Sequence, residues 1–277
     1  MIDNMNILKN LKYTVLIFAS VTTLAPFLWM FLTSFKNPTE IGQIPITILP
    51  FNWSLENFFK IFEYIPFDRY YFNSLYVSII QTIGTLIIAT MAAYAFSCIK
   101  FYGSNLIFFL YLGTIMIPGW VILIPVFKII KDIGLLNTYT ALIIVGLNNV
   151  MGVFLIRQFF LTIPKDYIEA AYIDGANHFS IYSKIIIPLS KPVILTVGLI
   201  SFMGSWNSLL WPLILAQEKS MYTLPLGLTQ LAHMGGWVQV EWGPLMGATL
   251  MSIIPILIIY IFLQNYFIKG VTLTGIK

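Results

Sequence analysis

Two deficits dominate this sequence: it has one cysteine and very little charge. Cys98 stands alone, so no intramolecular disulfide and no thiolate metal site can form. It reads as a small apolar helix residue. His178 and His233 are the only histidines, and neither has a ligand-spaced partner, so no metal site is expected. Charged residues make up 9% of the chain and hydrophobic residues 58%. A soluble domain carries about 25% charged residues. So few charges cannot cover a water-facing surface, and the mean hydropathy of +0.86 points to one that faces lipid. The net charge of +4 comes without any dense basic run, which excludes a nucleic-acid patch. There is no G-x-x-x-x-G-K-[ST] pattern, hence no phosphate-cradling loop of that kind and no ATP site. No nucleophile–base constellation is visible either.

Six long segments lack any charged residue: 13–35, 70–99, 101–127, 133–156, 192–217 and 242–268. A spanning helix needs about 20 mostly apolar residues, so each can hold one. The expected spans are 13–35, 71–98, 104–127, 138–160, 192–214 and 242–266, in a single domain over 1–277. The first is too long for a signal-peptide core and has no small-residue cleavage site after it, so it reads as an uncleaved membrane helix. A further uncharged stretch, 220–240, holds Pro225, Gln230, His233, Gly235, Gly236 and Gln239. It is too polar and broken to span and reads as an outer loop with a short interfacial helix. With the N-terminus inside, the inner segments carry Lys9, Lys12, Lys100, Arg157, Lys165, Lys184, Lys191, Lys269 and Lys277. The outer segments carry Lys36, Lys60, Arg69, Lys128, Lys131 and Lys219. That bias places both termini in the cytoplasm. Secondary transporters commonly hold ionisable groups within the membrane, and the charge-free segments hold no Asp, Glu, Lys or Arg. Pro26, Pro118, Pro125, Pro212 and Pro255 lie within them and mark irregular packing, hinges or cavity linings.

One inner loop, 161–190, has structure of its own. Pro164 suits a first helical turn, and Asp166 and Glu169 complement the helix dipole near that end. Ala170 and Ala171 favour helix, and Gly175 suits the left-handed stop that follows. Asn177 or Ser180 can cap a second short helix, which Pro188 ends. The result is a helix–turn–helix at the cytoplasmic surface, resting on the membrane or offered to a partner.

The sequence Glu169-Ala170-Ala171, Asp174-Gly175-Ala176 and then Ile187-Pro188-Leu189 resembles the "EAA" loop of binding-protein-dependent ABC importer permeases. The resemblance extends over nearly the whole chain. Pro26 to Met30 with Ser34, Phe35 and Lys36 is similar to the first helix of maltose-type sugar permeases. Phe72-Asn73-Ser74-Leu75 resembles the start of their second helix, and Gly134 to Thr138 the approach to the fourth. Trp206-Asn207 with Trp211 to Ile214 resembles the fifth. The tail, Lys269-Gly270 through Gly275 to Lys277, is similar to that of the maltose "G-type" subunit. Ser208-Leu209 departs from a polar or acidic residue followed by an aromatic, and Tyr182 from the common phenylalanine.

The resemblance implies an all-α membrane protein. It would have six transmembrane helices, a cytoplasmic helix–turn–helix coupling loop and the maltose-permease-like ABC importer fold, in a bacterial cytoplasmic membrane. Glu169, Ala170, Ala171, Asp174, Gly175, Ala176 and Pro188 would dock an ATPase subunit. The partners implied are a second homologous permease, two cytoplasmic ATPase subunits that bind ATP and Mg, an extracytoplasmic solute-binding protein and a sugar, with lipid around the spans. Loops 37–69 and 218–241 would meet the binding protein. No cofactor belongs to the chain itself. Another solute, such as glycerol phosphate or a charged oligosaccharide, is the alternative, and a stand-alone secondary transporter a more distant one. Polar residues deep in a span are costly unless they face protein or a cavity. Asn148 and Asn149 near the middle of the fourth span, and Trp206 and Asn207 about two-thirds across the fifth, are candidate sugar contacts. Their other reading is helix–helix hydrogen bonding and packing.

Overall fold

The computed structural model describes the backbone of residues 2–234 and 240–273, and side chains over 11–234 and 240–264. Lys9, Gly235, Gly236, Gln239 and the tail motif at Lys269, Gly270 and Gly275 to Lys277 lie outside these, wholly or by their side chains. The described residues form helices and no strand. Three helices are long and apolar enough to cross a membrane: Leu11–Ser34, Phe67–Cys98 and Trp242–Gln264. They coincide with the first, second and sixth expected spans.

The other three expected spans are not single helices, and local chemistry explains each break. Ser104–Met116 and Gly119–Asp132 meet at 99°. Pro118 sits at the bend with Ile117 extended before it, as a proline requires of its predecessor. In the fourth, Tyr139–Ile144 and Val150–Phe160 are separated by Val145 to Asn149. Thr138 and Asn149 supply the two caps, accepting from the Ala141 and Gly152 amides at 3.2 and 2.7 Å. In the fifth, Lys191–Trp206 stops at Asn207, and Leu210–Leu215 follows.

The chain divides into two compact units. The first comprises Met1–Asp68 and Gly227–Ile254. Its first helix is exposed along its apolar length, as a lipid-facing helix must be in an isolated chain. Past Ser34 the backbone is fastened by buried polar groups. The Asn57 amide donates to the Ser34 and Lys36 carbonyls at 3.0 and 2.7 Å, satisfying acceptors that a helix end leaves open. Glu40 is buried and accepts from the Phe51 amide and the Thr47 hydroxyl at 2.9 and 3.1 Å. Lys36, also buried, donates to the Thr47 carbonyl. Phe35 packs on Phe31, Trp53 and Phe58. Gly243 and Gly247 face Asn57, Phe58 and Ile61, where no larger residue fits without displacing them.

The second unit comprises Arg69–Leu226 and Pro255–Lys277. It is built on the 67–98 helix, whose small and β-branched residues admit close neighbours. One core cluster joins Ala89, Ala93 and Tyr94 to Val153, Ile156 and Ile181. A second joins Val77 to Ile130, Leu142, Leu215 and Met221. Near the second, fully buried Asn73 donates to the Ser220 and Tyr222 carbonyls and accepts from Tyr139 at 2.6 Å. The Ser74 hydroxyl accepts from the Leu224 amide at 2.7 Å. Asn137, at φ 60°, accepts from the Gln217 and Glu218 amides at 3.1 and 3.0 Å. Leu224–His233 follows as a helix, where an interfacial one was expected.

Candidate functional site

Two places in the second unit bear on function. The first is the 161–190 loop. Its helix runs Lys165–Ile173, with Pro164 one position before it as the N-cap rather than inside its first turn. Asp166 lies in that first turn. The helix ends as its composition demands. Gly175 takes φ 78°. Its N–H donates to the Tyr172 carbonyl at 3.0 Å, and the Ala176 N–H donates to the Ala171 carbonyl at 2.9 Å. These two bonds define a Schellman stop, in which a residue without Cβ carries the left-handed turn most easily. Asn177, not Ser180, caps the next helix by accepting from the Ser180 amide at 2.8 Å. Pro188 does not end that helix, which continues through a wider turn at Tyr182–Ile186 to Leu189. The break comes at Ser190, where the chain bends by 80° into Lys191–Trp206.

Glu169, Ala170, Asp174 and Gly175 are exposed together on this loop. Ala171 is turned inward and belongs to the core, and Ala176 packs beside it. The small side chain at 171 therefore serves packing within this chain. Around the exposed acidic residues lie Tyr167, which helical spacing places on a face neighbouring Ala170 and Asp174, and two large apolar side chains that sequence reasoning did not single out, Ile173 at 87% exposure and Phe179 at 74%. Their positions beside a helix stop, with no apolar periodicity to bury them, were the available signal. Tyr172 and Tyr94 both reach His178, at 2.8 and 3.3 Å from its Nδ1, and Tyr182 bonds Thr90 at 2.8 Å. The loop is thus tied to the 67–98 helix by side-chain hydrogen bonds.

The second place is a pair of adjoining cavities of about 210 and 410 Å³, which share Gln81, Gly146, Gly204 and Ser205 in their walls. The wall is made where the fourth span breaks. The Gly146 carbonyl, released from helical pairing, accepts from Gln81 and Thr85 at 3.3 Å each. Gln81 in turn accepts from the Ser205 hydroxyl at 3.1 Å. Irregular backbone at membrane depth is tolerated where it lines a cavity in this way. Ser78 and Thr223 also line the smaller cavity, and their buried hydroxyls find no partner among the described residues. No Asp, Glu, Lys or Arg lines either cavity.

Of the four candidate sugar contacts, Asn148 and Asn149 line the larger cavity. Both also serve structure: Asn148 accepts from Tyr111 at 2.8 Å, and Asn149 donates to Ser201 at 3.0 Å. Trp206 and Asn207 line neither cavity. Trp206 is 2% exposed, stacked on Phe202 and edge-on to Tyr71. Asn207 is exposed at its helix end and donates to the Met203 carbonyl at 2.9 Å. Ser205, Ser208 and Trp211, from the same segment, reach the smaller cavity instead.

Comparison with known proteins gives a consistent picture. The family described as "Binding-protein-dependent transport system inner membrane component" matches residues 76–273. The arabinooligosaccharides transport system permease protein AraQ of Halalkalibacterium halodurans is 35% identical, over 94% of this chain and 93% of its own length. The inner membrane ABC transporter permease protein YcjP of Escherichia coli is 34% identical, over 93% and 92%. The sn-glycerol-3-phosphate transport system permease protein UgpE of Yersinia enterocolitica is 29% identical, over 98% of both. Among solved structures, a chain of a bacterial ABC transporter involved in the import of the acidic polysaccharide alginate superposes with a TM-score of 0.85. It is 24% identical and the match covers 95% of this chain and 97% of that one.

Proposed function

The chain belongs to the binding-protein-dependent transport system inner membrane components, and from that premise we propose that it is the permease subunit of an ATP-driven importer of neutral sugars or oligosaccharides. It pairs with a second, related permease, and both termini face the cytoplasm. Two ATPase subunits bind ATP and Mg and dock on the 161–190 loop. An extracytoplasmic binding protein delivers the sugar. The chain has no catalytic step of its own: it converts the closure of the ATPases into alternating access.

The observation that carries this reading is the uncharged, hydroxyl- and amide-rich wall around the Gly146 break. A sugar offers many hydroxyls and no charge. Ser78, Thr223 and Ser205 can exchange hydrogen bonds with it, and Gln81, Asn148 and Asn149 offer both donors and acceptors. A path of this kind binds weakly enough at each point to release its cargo. A phosphate-bearing solute is the second reading, favoured by the likeness to a glycerol-phosphate permease. It would require cations that this wall does not supply. At the loop, exposed Glu169 and Asp174 suit basic groups on an ATPase, and Ile173 and Phe179 suit an apolar groove there.

The test is reconstitution of the assembled complex in vesicles. ATP hydrolysis should rise with sugar-loaded binding protein and stay low without it. Equal hydrolysis in both conditions would reject the importer reading. Uptake of an anionic solute in preference to neutral sugars would favour the second.

A further inference from the structure

Three helix ends meet beside a cavity of about 590 Å³, which shares no lining residue with the two polar cavities. The 67–98 helix finishes there at Cys98, Ser104–Gly113 begins there and Val150–Phe160 ends there. Lys100, Arg157, Ser104 and Asn105 line it, with Phe96 and Leu161. Arg157 is held rather than free to wave. Its Nε donates to the Phe96 carbonyl at 3.1 Å, and its guanidinium lies 4.1 Å from the Phe108 ring centre. No carboxylate lines the cavity, and among the described residues neither Arg157 nor Lys100 has an acidic partner within salt-bridge distance. The ten-residue helix starting at Ser104 adds the positive end of its dipole to the same space. A fixed guanidinium, an ammonium and a helix N-terminus therefore share one cavity.

We propose that this cavity binds the phosphate of an anionic phospholipid. Its location selects a lipid over other phosphate carriers. Helix ends of membrane spans lie at headgroup depth, and fully exposed Tyr102 beside Phe101 suits that interfacial layer. Leu106, Phe109 and Leu110 are exposed on the helix that leads away from the cavity. Acyl chains can lie along them while the headgroup is held by Arg157 and Lys100. Ser104 and Asn105 can donate to the remaining phosphate or glycerol oxygens. Basic pockets between helices at the membrane surface recognise anionic headgroups by this combination. Leu161 places the site four residues before the 165–173 helix, so the lipid fixes the membrane end of the docking loop.

The experiment is native mass spectrometry of the purified complex, titrated with phosphatidylglycerol or with phosphatidylcholine of the same acyl chains. Wild type should retain phosphatidylglycerol preferentially. Lys100→Gln, an exposed change that breaks no internal contact, should weaken that binding about fivefold. Adding Arg157→Gln should weaken it by about 25-fold in all if the two cations act independently. Phosphatidylcholine binding should not change, and Lys131→Gln, on a different helix, should behave as wild type. Millimolar inorganic phosphate should not displace the lipid. Equal retention of both lipids, or wild-type binding by Lys100→Gln, overturns the proposal. Displacement by inorganic phosphate overturns the lipid and leaves a free-phosphate site. Variants that bind lipid normally but lose the ATPase subunit overturn it in favour of a protein contact.

Discussion

Replacing Gly175 with alanine adds one carbon to a residue at φ 78°. Nothing lies within 4 Å of the position that the new Cβ would take. The substitution therefore causes no clash with its surroundings, and its whole effect is backbone strain. A Cβ in the left-handed region costs about 1–2 kcal/mol. That cost can appear in two places. If the free loop relaxes its turn, docking must restore the turn, and affinity for the ATPase subunit falls about 5- to 30-fold. If the turn persists, the permease itself loses that stability. Both are measurable on one preparation, by ATPase-subunit binding to the detergent-solubilised permease and by its thermal unfolding. Gly175→Asn should lose less by either measure, because asparagine visits this conformation more readily. Glu169→Lys, which reverses an exposed charge on the same surface, should weaken docking at least about tenfold while leaving unfolding unchanged. If Gly175→Ala matches wild type in both affinity and stability, the Schellman turn is not maintained in the assembled protein and the reasoning fails.

Gly243→Ala tests the first unit. Its Cβ would stand 2.3 Å from Oδ1 of fully buried Asn57, whose amide is committed to two carbonyls. We expect a loss of about 2–4 kcal/mol, read as a lower unfolding temperature. Gly204→Leu tests the translocation path. Gly204 is exposed, lines both cavities and has nothing within 4 Å of its Cβ position. Filling it should abolish sugar uptake while the complex assembles normally, and undiminished uptake would remove these cavities from the path. Asn73→Ala deletes three hydrogen bonds at a fully buried site. It should cost about 2–4 kcal/mol and loosen the 217–224 segment, visible as faster hydrogen exchange there.

Much of this was legible in the residues. Long uncharged segments give span positions because charges are excluded from the membrane interior, and Phe67–Cys98 and Trp242–Gln264 fall on the segments expected from that rule. The loop was legible because Gly175 and Asn177 are chemically specific: one ends a helix by lacking a side chain, the other starts one with an amide. Pro118 and Pro212 signalled irregularity in the third and fifth spans, but the break in the fourth, which holds no proline, was hidden. Hydropathy averages over the Val145 to Asn149 gap, and Gly146 reads as an ordinary small residue until its carbonyl is seen accepting from Gln81. The candidate contact at Trp206 illustrates the same limit. Depth along the helix was readable, but whether the ring faced a cavity or Phe202 depended on helix rotation, which an almost uniformly apolar segment does not encode. Asn73 and Ser74 were noticed as a pattern. Their role, fastening backbone some 150 positions away in sequence, appears only in three dimensions.

The 67–98 helix is the element on which the features of the second unit converge. At about 1.5 Å per residue its 32 residues extend roughly 48 Å. Near one end Asn73 and Ser74 hold the 220–224 segment. At mid-length Ser78, Gln81 and Thr85 form or brace the cavity wall. Near the other end Thr90 and Tyr94 bond Tyr182 and His178 of the 161–190 loop. A helix transmits axial displacement with little loss because each turn is closed by its own hydrogen bonds. Apart from Gln81, the residues that reach outward from it are short or aromatic, so those connections are stiff. If ATPases dock at Glu169 and Asp174 as proposed above, a load applied there would enter this helix within a few side chains, pass the Gly146 wall, and leave at the loop that follows Leu215. The break at Val145 to Asn149 is then consistent with its position. Its Gly146 carbonyl meets the helix through two hydrogen bonds of 3.3 Å, from Gln81 and Thr85, so movement of the helix reaches the cavity wall directly at that point, while Asn148 and Asn149 anchor the far side of the break to Tyr111 and Ser201.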